Sequence, residues 1–132
     1  MFIRYYNYDE QSLYRAISYN IIVNVDAKKL NLFKEGKLFK TYPIATGKIT
    51  TPTPTPTPKG DFKIINKASN PGGPFGAKWL GLNVPGGDYG IHGTNNPSSI
   101  GKSVSNGCIR TYNKNIIEIY NLVPVGTPVK IV

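Results

Sequence analysis

A mainly β domain is the fold class this sequence predicts, and three observations predict it. Eleven prolines and fourteen glycines among 132 residues interrupt the chain too often for long helices. Between them stand short runs rich in Ile, Val, Tyr and Phe, bounded by turn residues. One stretch near the C-terminus, residues 114–122, carries the apolar spacing of a short helix.

Taken in order, residues 1–17 are tyrosine-rich and read as an N-terminal arm or an added strand. Residues 18–25 form a strand and 26–29 a turn. Two further strands, 30–34 and 37–45, bracket Glu35-Gly36, a tight hairpin signal that makes the first three strands an antiparallel meander. Residues 50–58 are a Thr-Pro tract, which is extended and cannot donate a full ladder. The sheet pattern resumes at 61–66, so the tract reads as a lengthened surface loop and residues 18–132 as one domain. Residues 67–78 form a loop whose aromatic tip, Phe75, is suited to cover a groove. Residues 79–84 are a strand, with Trp79 assigned to core packing and groove lining as its alternative, and 85–88 turn the chain into Tyr89–His92, so that His92 ends a strand. Asn113 caps the helix, whose buried side is Ile116, Ile117, Ile119 and Tyr120. Residues 127–132 close the sheet as its last strand.

Sixteen basic against seven acidic residues give a net charge of +9, a surface that attracts polyanions such as nucleic acid, anionic lipid or the polymers of a bacterial wall. The charges are scattered and match no nucleic-acid motif, so a solvated lysine surface with no nucleic-acid partner is expected. A single cysteine excludes an intramolecular disulfide. One His and one Cys cannot build a zinc site, and neither metal nor cofactor is called for. The first ten residues lack a continuous apolar stretch, so they are read as neither a secretory signal nor a membrane span; action outside the cytoplasm would need another export route or a removed leader.

The chemistry-bearing residues crowd together. The only cysteine, Cys108, lies in Ser105-Asn106-Gly107-Cys108-Ile109-Arg110, sixteen residues after the only histidine, His92. A thiol becomes a useful nucleophile near neutral pH when a base or cation stands beside it, and His92 is the one side chain able to act as that base. Gly107 permits a sharp turn with backbone N–H groups free for an oxyanion. In an extended segment Arg110 faces the same way as Cys108, so a carboxylate gripped by the guanidinium would lie near the sulfur.

On Ile91-His92-Gly93-Thr94 and Ser105-Asn106-Gly107-Cys108-Ile109-Arg110 the sequence resembles the catalytic domain of bacterial L,D-transpeptidases, cysteine enzymes that cross-link peptidoglycan. Thr46-Gly47-Lys48, the Thr-Pro tract and Asn70-Pro71-Gly72-Gly73-Pro74-Phe75-Gly76 extend the resemblance from about residue 18 to 132. Two features depart from it: Asn106 stands where many members have a second histidine, so no role for that residue carries over, and the Thr-Pro repeat is longer than usual. The resemblance implies a β-sandwich or barrel of mixed strands with one short helix. It also implies a Cys108 nucleophile with His92 as base and the imidazole oriented by the Gly93 carbonyl; the residues themselves leave Asp88, the one acid near His92, as the alternative orienting group. Gly107 and Cys108 amides, with Asn106, would hold the oxyanion; Arg110 would hold a substrate carboxylate; Tyr89 would line the groove and Ser105 would brace the loop. The implied partner is the peptidoglycan stem peptide, in the wall or envelope of a bacterium. An L,D-carboxypeptidase on the same site, or a wall-binding module without turnover, are the alternatives.

Overall fold

The computed structural model describes residues 17–50 and 53–132, so the arm expected over residues 1–17 lies outside the described residues but for Ile17. The chain runs β1 (Tyr19–Asn24), β2 (Lys29–Lys34), β3 (Lys37–Pro43), β4 (Thr46–Gly47), β5 (Gly60–Ser69), β6 (Lys78–Leu82), β7 (Tyr89–His92), β8 (Ser103–Ser105), β9 (Ile109–Arg110), α1 (Asn113–Leu122) and β10 (Pro128–Ile131). Eight strands form one mixed sheet in the order β3-β2-β1-β10-β5-β6-β7-β9, and β4 pairs with β8 apart from it. The pairs β1/β10, β7/β9 and β4/β8 are parallel; the remainder are antiparallel.

The meander forms as its sequence predicts. Glu35 (φ 51°) and Gly36 (φ 78°) both take the left-handed conformation that a two-residue hairpin needs to match the twist of its strands. Alternation then builds the core. Ile21 faces Leu32 on one side and Val129 on the other, and Val23 faces Leu30 and Ile131, two apolar rows that cross β2, β1 and β10. All six are at most 2% exposed. Each such side chain stabilises the fold by roughly 1.5–3 kcal/mol relative to exposure.

Three local expectations change. Strand β5 continues past Asn66 to Ser69, because Lys67, Ala68 and Ser69 pair with Leu80, Trp79 and Lys78, so the loop begins only at Asn70. Helix α1 packs on β6 and β7 through Ile116 and Ile119, but Ile117 points outward and is 39% exposed; Asn115 takes the third buried position. Asn113 opens α1 without capping it, its side chain being used elsewhere.

The described part of the Thr-Pro tract, residues 53–58, is a loop. Its second half is tied down: Thr55 bridges to Lys48, Thr55 Oγ1 donates to the Ser105 carbonyl at 2.8 Å, and buried Thr57 accepts from the Gly47 N–H at 2.9 Å.

Candidate functional site

Strand register brings the sequence-predicted residues together. In the parallel β7/β9 pair Ile91 faces Ile109 and His92 faces Arg110. Ile91 and Ile109 are buried in the core, so His92 and Arg110 emerge on the opposite face. Cys108 directly precedes β9 and lies two residues before Arg110, which puts the thiol on that same face, level with Gly90. Thiol, imidazole and guanidinium thus converge through one pairing.

The imidazole is fixed from two sides. Its Nδ1 donates to the Gly93 carbonyl, and because a carbonyl only accepts, Nδ1 carries the proton and Nε2 keeps its lone pair. The expected role of the Gly93 carbonyl fits this geometry, whereas Asp88, the alternative orienting group, stands elsewhere: its backbone carbonyl is 3.7 Å from Cys108 Sγ. On the ring face, Trp79 stacks at 5.7 Å and 18° while Phe75 meets it edge-on at 5.1 Å. Trp79 is therefore a wall of the site, the alternative role given to it above, and Phe75 lines the same groove. The indole lies flat because Gly90 has no side chain: a β-carbon there would sit 2.7 Å from the ring. Trp79 Nε1 donates to Asn66 Oδ1 at 3.0 Å.

Burial under these rings pushes the His92 pKa down to about 4, with the Gly93 hydrogen bond opposing and the Arg110 charge assisting. Burial also pushes the Cys108 thiol up, and Asp88 adds to the rise; the Gly90 backbone and the Arg110 charge pull it down without prevailing. Both shifts favour the uncharged forms near neutral pH, a thiol and an imidazole.

Ser105 shapes the nucleophile loop. Buried at 2% exposure, its hydroxyl donates to the Cys108 carbonyl at 2.6 Å and accepts from the Gly107 N–H at 3.1 Å. That bond corrects one expectation: the Gly107 amide is occupied and is not free for an oxyanion. The Cys108 N–H has no protein acceptor among the described residues. Gly107 itself sits at φ 114° with the Tyr89 ring 2.6 Å from where a β-carbon would stand, so both backbone and space require glycine. Asn106 is exposed beside it.

Beyond Trp79 the site opens into a groove of about 570 Å³ lined by Ile65, Asn66, Phe75, Trp79, Asp88 and Tyr89 among others. Tyr89 is among its walls. Asn113 escaped the sequence reading as a site residue: its Oδ1 accepts from the Ala77 and Thr94 amides at 3.0 and 3.1 Å, tying the segment that carries Gly93 to α1. Local sequence signals only a helix start there. No group of three metal-ligating side chains occurs among the described residues.

Comparison with known proteins gives one answer. The YkuD family, described as the L,D-transpeptidase catalytic domain, matches residues 18–131. The chain is 57% identical to the YkuD protein of Bacillus subtilis and 54% identical to that of Bacillus licheniformis, over 116 residues in each case, 88% of this chain and 67% of theirs. Among solved structures, the catalytic domain of the E. faecium L,D-transpeptidase superposes with a TM-score of 0.70 at 28% identity, over 86% of this chain and 95% of that one.

Proposed function

This chain belongs to the L,D-transpeptidase catalytic-domain family, and from that premise we propose that it moves the acyl group of a peptidoglycan stem peptide through a thioester on Cys108. The observation that carries the reading is the β7/β9 register, which sets Cys108, His92 and Arg110 on one face.

Nε2 of His92 takes the thiol proton as the sulfur attacks the carbonyl between an L-centre and a terminal D-residue. The S–C bond forms, the developing oxyanion meets the Cys108 N–H, and the leaving nitrogen collects the proton as its C–N bond breaks. A backbone donor of that kind contributes about 3–4 kcal/mol in comparable sites. Arg110 holds the carboxylate of the departing D-alanine. An amine from a neighbouring stem then attacks the thioester, the new C–N bond forms, and the sulfur leaves and regains its proton. A neutral resting pair suits this sequence, since His92 must begin unprotonated to act as a base. Water in place of the amine would yield the L,D-carboxypeptidase outcome on the same residues.

Stem peptides are the proposed partner and the bacterial wall or envelope the place of action, with the net charge of +9 favouring anionic wall polymers. No helix among the described residues is long and apolar enough to cross a membrane. Mass spectrometry of stem tetrapeptides incubated with the wild type and with Cys108→Ala tests the proposal. Loss of D-alanine with a cross-linked dimer, absent in the variant, supports transpeptidation; loss without a dimer supports the carboxypeptidase; no turnover and no adduct on Cys108 refutes both.

A further inference from the structure

We propose that Asp88 selects the acyl donor by pairing with a cationic side chain on the residue whose carbonyl Cys108 attacks; the inference rests on the acyl-transfer reading above. The two sides of Cys108 differ in chemistry. Toward β9 stands Arg110, which suits a carboxylate and therefore the departing D-residue. By microscopic reversibility the incoming amine adds along the path the first amine left, so it too uses that side. The retained half of the donor must then lie on the other side, along the groove over β5, β6 and β7.

Asp88 stands where the groove meets the sulfur. Its backbone carbonyl lies 3.7 Å from Sγ, and the residue is exposed and lines the groove. Asp61 and Glu118 are engaged with Lys130 and Lys40, whereas Asp88 has no ion-pair partner among the described residues. The Asp88 charge is felt at the thiol, as its contribution to the raised Cys108 pKa shows. A free carboxylate beside an aromatic and aliphatic wall fits a side chain with an apolar stem and a terminal ammonium. A diamino acid at the acyl position has that shape.

The test uses two donor tetrapeptides ending in D-alanine that differ only in the acyl residue, lysine with a free side-chain amine against Nε-acetyl-lysine, with D-alanine release as the readout. Comparing the ratio of kcat/KM cancels any effect of Asp88 on thiol reactivity. Wild type should prefer the free amine by about three- to fivefold at low salt, the range of an exposed charge pair, and the preference should shrink as salt rises. Asp88→Asn should bring the ratio to near one, and Asp88→Lys should invert it. A wild-type ratio near one, or an unchanged ratio in Asp88→Asn, overturns the assignment while leaving acyl transfer standing. Failure of the wild type to release D-alanine from either donor overturns it together with the reading on which it rests.

Discussion

The charge state of the Cys108–His92 pair predicts an unusual pH dependence. If His92 kept its ordinary pKa of about 6.5, only about 3% would be neutral at pH 5. At the value of about 4 that burial beneath Trp79 and Phe75 imposes, roughly nine-tenths is neutral there, about a thirtyfold difference in available base. The kcat/KM for D-alanine release, which reports groups of the free enzyme, should therefore vary by no more than about twofold from pH 5 to 8 and fall only on an acid limb near pH 4. Iodoacetamide alkylation of Cys108 separates the two possible resting pairs directly, because it reads thiolate. With the thiol pKa raised, alkylation should drop about tenfold per pH unit below the ordinary thiol range, with no second plateau. A plateau of reactivity below pH 7 that disappears in His92→Ala would mean a thiolate–imidazolium pair, and an acid limb at pH 6–7 would mean a solvated imidazole. Either result refutes the reasoning from burial.

Stability should follow the same group with a defined sign. His92 has a lower pKa folded than unfolded, so its contribution is present above about pH 6.5 and is lost as pH falls toward the folded value of about 4, some 3 kcal/mol in all. Urea denaturation at pH 7 and pH 4 should show that loss in wild type and a smaller one in His92→Gln. Ser105→Ala removes the partner of the Gly107 N–H and the Cys108 carbonyl; urea denaturation should show a loss of about 1–3 kcal/mol. D-alanine release by the folded variant should fall about ten- to hundredfold as the loop loses its register. Gly107→Ala should destabilise through both its φ of 114° and the Tyr89 ring, and only the steric part should be recovered in the double variant with Tyr89→Ala.

Alternation along single strands was legible in the sequence, and so was the short spacing that puts Cys108 and Arg110 on one face. Glu35-Gly36 announced its hairpin because two-residue turns demand special residues. What local sequence does not carry is partner choice: nothing in residues 128–131 says that they pair with β1 and β5, or that β7 and β9 lie side by side. The misread residues failed for that reason. Trp79 read as core before groove wall and covers an imidazole; Asn113 looked like a cap and instead holds two amides of distant loops; β5 outran its apolar pattern because β6 supplied hydrogen bonds to polar residues. Ile117 is one residue round the helix from Ile116, enough to turn it from the sheet to solvent. Ser105 was expected to bond within the loop, but local sequence does not say to which amide, and it takes the Gly107 N–H that had been assigned to an oxyanion.

The place of β10 in the sheet has a consequence for biosynthesis. The strand that comes after all the other described strands in chain order is inserted between β1 and β5, joining the meander to the half that bears the site. A nascent chain lacking residues 128–131 therefore holds two sheet fragments whose β1 and β5 edges are open. Its contacts being long-range, the eight-stranded sheet becomes continuous only once residues 128–131 are in place.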